Sequence, residues 1–266
     1  MSKRKALGQH FLKDRSILRQ IVDILDPRRD ELVIEIGAGK GALTFPLADR
    51  AGKVIAIEKD KDLAGLLRET PRENVVIFER DVLRVDFREI IAAEMGGLSG
   101  VKLAGNLPYS ISSPLLFKVL KDRDLFAACV FLLQKEVAER LAAQPGSKSY
   151  APLSILFQIY FNVRLRFTLE PGTFSPPPKV RSTLFSLERR PAPLFVLRDE
   201  GGFGRFLRVA FAQRRKILLN NLKSQRLPLD LLKESLRRLG LPENVRAEQL
   251  TISQFVSLFE LLAKRT

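Results

Sequence analysis

An apolar run that passes directly into a string of glycines constrains this chain more than any other feature. Leu32-Val33-Ile34-Glu35-Ile36 reads as a fully buried strand, and Gly37-Ala38-Gly39-Lys40-Gly41 follows with no spacer. Glycines at a strand-to-helix junction permit a tight turn and let a ligand approach the backbone closely. Helical and strand patterns then alternate. A helix is expected over Ala42–Arg50, a strand over Val54–Ile57 ending at Glu58, and a helix over Lys61–Arg68. A strand over Val75–Phe78 leads to Asp81, a helix covers Phe87–Ala93, and a fourth strand delivers Asn106. Such alternation specifies a parallel, doubly wound α/β sheet.

The flanking segments extend this frame. A helix is expected over Ser16–Leu25 with Ser16 as its cap, since Ile17, Leu18, Ile21, Val22, Ile24 and Leu25 have helical spacing. Beyond Asn106 the patterns read as helix Pro114–Leu120, strand Cys129–Leu133, helix Lys135–Ala142, helix Ala151–Tyr160 and strand Val163–Leu169. Pro176-Pro177-Pro178 is expected to be a stiff, polyproline-like connector. Thr183–Leu187 is the last strand, expected to pair antiparallel at the sheet edge. After Arg189-Arg190-Pro191-Ala192-Pro193 only helical patterns remain. The expected domains are therefore an α/β domain over 1–188 and a small helical domain over 189–266.

Charge separates these two parts. The chain carries a net +15, and residues 189–266 hold 16 Lys/Arg against 7 Asp/Glu, a net +9; residues 1–188 hold 29 against 23, a net +6. A basic excess of this size favours a polyanionic partner, nucleic acid before an anionic membrane. No apolar run approaches the ~20 residues of a membrane span, and the basic Met1-Ser2-Lys3-Arg4-Lys5 leads into no apolar signal core. One cysteine and one histidine leave neither a disulfide framework nor a His/Cys metal cage. The expectation is a cytoplasmic, metal-free protein.

The strand ends carry the chemistry. Glu58 lies 21 positions beyond Gly37, where a carboxylate can accept both ribose hydroxyls of an adenosine. The glycines alone do not choose between NAD and S-adenosylmethionine. Three further residues tip the choice toward the methyl donor. Glu35 can face a methionine ammonium, Asp81 can accept from an adenine amine with Val82 packed on the ring, and Asn106 ends the strand where donor would meet acceptor. Asn106-Leu107-Pro108-Tyr109 then suits a planar amine awaiting alkylation. The lone pair of such an amine is spread into its ring; two acceptors that grip its hydrogens help to free it. The Asn106 side-chain oxygen and the Leu107 carbonyl can be those acceptors. Pro108 stiffens the turn, and Tyr109 offers a stacking face.

With these motifs in place the chain resembles the rRNA adenine dimethyltransferases, in particular the type that acts on 16S rRNA. The likeness runs nearly full length. It includes Gly8-Gln9-His10-Phe11-Leu12, Glu35-Ile36-Gly37-Ala38-Gly39, Glu58, Asp81, Asn106-Leu107-Pro108-Tyr109, Phe174-Ser175-Pro176-Pro177-Pro178-Lys179-Val180 and Phe211-Ala212-Gln213-Arg214-Arg215-Lys216.

The resemblance implies a Rossmann-like S-adenosylmethionine-dependent methyltransferase sheet with a small all-helical C-terminal domain. It implies dimethylation of two adjacent adenosines in a hairpin loop near the 3′ end of 16S rRNA, within an assembling small subunit, by a monomer. By position it implies that His10, Leu12, Gly37, Gly39, Glu58, Asp81, Val82 and Asn106 line the cofactor. Asn106, Leu107, Pro108 and Tyr109 would hold the base, with Phe174 as second stacking face. RNA contacts are expected from Lys3, Arg4, Lys5, Lys179, Arg214, Arg215 and Lys216. Two positions depart from the pattern: His10 replaces a frequent Asn, and Arg80 replaces a frequent Gly. The alternatives are a 23S rRNA adenine methyltransferase of the macrolide-resistance type and a non-catalytic RNA-binding assembly factor.

Overall fold

The structure is a computed structural model and describes residues 9–223 and 228–263. The expected contacts at Lys3, Arg4 and Lys5 lie outside the described residues. The chain divides into two units, Met1–Ala138 with Asn162–Arg189 and Glu139–Phe161 with Arg190–Thr266. Residues 139–161, expected in the sheet domain, thus belong with the helices. Their helix packs on C-terminal partners, a relation that distance along the chain conceals.

The first unit is built on a seven-stranded sheet. In chain order, β1 is Phe11–Leu12, β2 Glu31–Ile36, β3 Lys53–Glu58, β4 Val75–Glu79, β5 Gly100–Asn106 and β6 Ala128–Gln134. They are followed by β7 Phe161–Leu169, β8 Phe174–Ser175 and β9 Ser182–Arg189. The sheet order is β4-β3-β2-β5-β6-β9-β7, with β1 and β8 forming a separate antiparallel pair. Strands β4 through β6 run parallel, and β9 is antiparallel to β6. β2 and β3 are buried almost throughout, as strands covered on both faces must be. Strand order reverses between β2 and β5, which opens a crevice at their carboxyl ends.

The interleaved helices are α1 Arg15–Leu25, α2 Thr44–Ala48, α3 Lys61–Arg68, α4 Phe87–Glu94, α5 Ser112–Lys121 and α6 Lys135–Ala142. α1 starts one residue earlier than expected because Asp14, not Ser16, is its cap: the Asp14 carboxylate accepts from the Ser16 and Ile17 amides. Replacing Asp14 with Ala removes that acceptor at a cost of about 1 kcal/mol. α1 buries Ile17, Leu18, Ile21, Val22 and Leu25 against β2, β5 and β6. α2 is shorter than the expected Ala42–Arg50. Pro46 has no amide proton for the Ala42 carbonyl, so Pro46 fits only the first turn.

The last strand also departs from expectation. Residues 182–187 of β9 are buried and lie between β6 and β7, so β7 is the edge. The apolar Thr183–Leu187 run suits an interior strand, while exposed Arg164 and Arg166 suit an edge, where charge discourages further pairing. Thr168 Oγ1 lies 2.9 Å from Thr183 Oγ1, and Arg166 Nε donates to Ser186 Oγ at 2.9 Å. The triple-proline connector contains a cis Ser175–Pro176 peptide.

The second unit contains α7 Pro152–Tyr160, α8 Glu200–Ala210, α9 Leu218–Leu222, α10 Leu229–Arg238 and α11 Ile252–Ala263. Its core is aromatic: Phe203 and Phe206 of α8 meet Phe259 of α11, and Phe211 stacks on Phe255.

Candidate functional site

The carboxyl ends of β2, β3, β4 and β5 frame a cleft of about 280 Å³ in the first unit. His10, Gly37, Gly39, Glu58, Asp81, Val82, Asn106, Leu107, Pro108 and Tyr109 all line it. Ten of the residues singled out from sequence therefore converge on one cavity, drawn from separate strand ends.

The glycine loop is held by its neighbours. Gly37 and Gly39 have φ of +73° and +59°, a region that side chains rarely adopt. A Cβ on Gly39 would also stand 2.9 Å from Phe11 Cε1. The Gly37 amide donates to the Ile57 carbonyl at 2.9 Å, and the Gly39 amide to Glu58 Oε2 at 2.8 Å. The other Glu58 oxygen accepts from the Asp60 amide at 2.9 Å. Each oxygen keeps a further lone pair for a ligand hydroxyl.

Asp81 is similarly engaged. Its Oδ1 accepts from the Leu83 amide at 3.0 Å and its Oδ2 from Lys59 Nζ at 2.8 Å. The Lys59 hydrogen bond holds the Asp81 carboxyl below the usual carboxylate range. Lys59 lines the cleft and had no signal in the sequence beyond its place after Glu58. Gln9, Phe11, Ile36, Ile57, Ser110 and Ile111 line it too, as does Arg80. Ile36 and Ile57 are the last apolar residues of their strands, and that position was the available clue.

The acceptor side is arranged differently. Asn106 Nδ2 donates to the His10 carbonyl at 2.7 Å, which orients the carboxamide and leaves Oδ1 with no partner among the described residues. The Leu107 amide donates to the Leu132 carbonyl at 3.1 Å, while the Leu107 carbonyl accepts nothing among the described residues. Pro108 (φ −57°, ψ 131°) bends the chain into a short 3-10 turn at Tyr109–Ile111. The Tyr109 hydroxyl lies 2.6 Å from Ser182 Oγ on β9. Burial raises the Tyr109 pKa, which keeps the phenol protonated. The His10 ring faces Tyr109 at 5.5 Å, and because a carbonyl only accepts, His10 Nδ1 donates to the Pro176 carbonyl at 2.7 Å.

Three expected site residues are placed elsewhere. Glu35 is buried behind the cleft wall, and its Oε2 accepts from Thr44 Oγ1 at 2.5 Å. Burial, with a smaller contribution from Glu58, pushes its pKa up to about 7. Strand alternation explains the placement: Ile36 faces the cleft, so Glu35 faces α2. Leu12 and Phe174 are opposite one another in the β1–β8 pair and are packed in the core with α1. Both are apolar, and pairing turns both inward, so neither lines the cleft.

Among the expected RNA contacts, Lys179 lies beside the Arg181–Glu170 ion pair. Arg214, Arg215 and Lys216 occupy exposed turns after α8, and Arg214 pairs with Glu248 at 2.9 Å.

A largely parallel sheet with one antiparallel strand inserted beside its edge, and a glycine loop and acidic strand ends at its switch point, defines a Rossmann-like S-adenosylmethionine-dependent methyltransferase. The crystal structure of a dimethyladenosine transferase from Plasmodium falciparum matches with a TM-score of 0.81 at 27% identity, covering 96% of this chain and 98% of that one. The 23S rRNA methyltransferase ErmE shares the fold, with a TM-score of 0.72 at 24% identity over 95% of this chain and 99% of its own.

The chain belongs to the ribosomal RNA adenine dimethylase family, whose model it matches over residues 1–264. Ribosomal RNA small subunit methyltransferase A of Geobacter metallireducens is 44% identical over 96% of this chain and 94% of its own length. The protein of that name from Geobacillus kaustophilus is 43% identical over 98% and 91%.

Proposed function

We propose that this enzyme transfers methyl groups from S-adenosylmethionine to the exocyclic amines of two adjacent adenosines in a hairpin loop near the 3′ end of 16S rRNA. It would act on the assembling small subunit as a cytoplasmic monomer. The observation that carries this reading is a pair of acceptors without partners among the described residues, Asn106 Oδ1 and the Leu107 carbonyl, in the same cleft as Glu58 and Asp81. The small-subunit names of the relatives at 43–44% identity favour 16S over 23S rRNA.

The residues fit an adenosine-containing methyl donor. Glu58 retains acceptor capacity for ribose hydroxyls, Asp81 can accept from an adenine amine, and Ile36, Ile57 and Val82 supply flat apolar walls. Glycine at positions 37 and 39 keeps the loop side of the cleft free of side chains. When bound, the donor supplies an electrophilic methyl group on a sulfonium. On the acceptor side, Asn106 Oδ1 and the Leu107 carbonyl would accept the two amine hydrogens and turn the nitrogen lone pair toward that methyl. Tyr109, anchored by Ser182, would stack on the extruded base and offset the few kcal/mol lost on leaving the stack. Both acceptors are set before substrate arrives, so catalysis here is mainly positioning and electrostatics. Lys179, Arg215 and Lys216 would hold phosphates without reading sequence.

Incubation with labelled S-adenosylmethionine and unmethylated small subunits, followed by nuclease mapping, tests the proposal. Label on two neighbouring adenosines of the 3′-end hairpin is expected. Label in large-subunit RNA would favour the 23S reading, and no label anywhere would favour a non-catalytic assembly role.

A further inference from the structure

Behind the glycine loop lies a second depression, an open groove of about 710 Å³ between the start of α1 and the segment from Lys40 to Arg50. Its floor includes Leu18, Val22 and Phe45, and four exposed cations rim it: Lys13, Arg15, Arg19 and Lys40. Two carboxylates also line it, and each already has a cation: Asp23 pairs with Arg50 at 2.6 Å and Asp49 with Arg72 at 2.7 Å. None of the four rim cations has a carboxylate partner among the described residues. Other exposed cations of the first unit also lack one, Arg28, Arg29 and Lys61 among them, but what sets these four apart is that they share one groove. Four like charges left together lose stability through mutual repulsion, so an anion is what the groove lacks.

The groove also adjoins the cleft. Phe11 lines the cleft, and Lys40 Nζ stands 5.6 Å from the centre of its ring. Phe11-Leu12-Lys13 and Gly39-Lys40-Gly41 therefore form a common wall, with the cleft on one side and the groove on the other.

We propose that this groove is a second RNA-binding surface, in which Lys13, Arg15, Arg19 and Lys40 hold the phosphodiester backbone of the strand leading to or from the target loop. A spaced row of flexible cations with no base-reading amide among them suits backbone contact independent of sequence. The inference rests on RNA being the substrate, but not on which adenosines are modified.

The test is binding of a fluorescent oligouridylate, which contains no methyl acceptor, at several salt concentrations. The quadruple variant Lys13→Ala, Arg15→Ala, Arg19→Ala, Lys40→Ala should flatten the slope of log K against log salt by roughly 2–3, at ~0.7 per phosphate contact on a single strand. A control of equal charge loss, Arg28→Ala, Arg29→Ala, Lys61→Ala, Lys121→Ala, should change the slope by less than one unit. An unchanged slope in the groove variant, or the same change in both variants, overturns the proposal. Circular dichroism and S-adenosylmethionine binding verify that each variant is folded. Methyl transfer to unmethylated small subunits, measured on the unaltered protein, tests the adenosine reading separately.

Discussion

The two sides of the cleft treat their oxygens in opposite ways. On the glycine-loop side both oxygens of Glu58 and both of Asp81 already accept hydrogen bonds from the protein. On the tetrad side Asn106 Oδ1 and the Leu107 carbonyl accept none among the described residues. The first side is part of the fold's own hydrogen-bond network. The second is held in shape by donors, Asn106 Nδ2 and the Leu107 amide, and in the proposed reading its acceptors are left for substrate. Substitutions on the first side should therefore cost stability, and substitutions on the second should cost rate.

The largest effect should come from Asn106→Ala. Loss of one preorganised polar group at a reacting centre lowers rate by roughly 10²–10³, whereas loss of the hydrogen bond to His10 costs only about 1 kcal/mol of stability. Single-turnover methyl transfer and urea denaturation measure the two. An equal loss of RNA binding would make the residue structural and remove the contrast.

Glu58→Ala should show the reverse emphasis. It leaves the Gly39 and Asp60 amides without their acceptor, at roughly 1–3 kcal/mol each where buried, so the urea midpoint should fall clearly even without ligand. A variant as stable as the parent would mean that the carboxylate serves the ligand alone.

Glu35→Gln sharpens the comparison through pH. The Glu35 pKa rises from an ordinary 4.5 to about 7 in the fold, so between those values the folded chain binds a proton that the unfolded chain does not. Stability from this group is full below about pH 4.5 and is lost as pH rises through 7. Gln does not titrate. The variant should gain on the parent between pH 5 and pH 8, by on the order of 3 kcal/mol at most. Parallel pH profiles would refute it.

The smallest effect separates two neighbouring arginines. Arg214 is paired with Glu248 and Arg215 has no carboxylate partner among the described residues. Arg215→Ala should therefore reduce the salt dependence of rRNA binding by about one contact, ~0.7–0.9 in slope, and Arg214→Ala by less. Equal slopes would mean that the Glu248 pair opens on binding.

The site was legible where strand periodicity and chemistry coincide. Glu58, Asp81 and Asn106 are polar residues at the ends of apolar runs, and a parallel sheet gathers such ends. Phe174 and Leu12 were not legible in the same way. Motif position suggested the cleft, but their burial depends on the β1–β8 pairing across more than 160 residues of chain. Glu35 failed for a local reason: its neighbour Ile36 faces the cleft, and successive strand residues point to opposite faces. Lys59 was missed because an exposed lysine after a strand looks the same whether or not a carboxylate lies nearby.

The amino-acid order alone determined the alternation of strands and helices, the glycine loop, and the acids and amide at the strand tips, because those follow from periodicity and backbone chemistry within short windows. Tertiary structure alone decided that β9 is interior, that residues 139–161 join the helical unit, and which oxygens of the cleft have no partner among the described residues. Those outcomes depend on which distant segments become neighbours, and burial and hydrogen bonding between such segments leave no periodic trace in the chain.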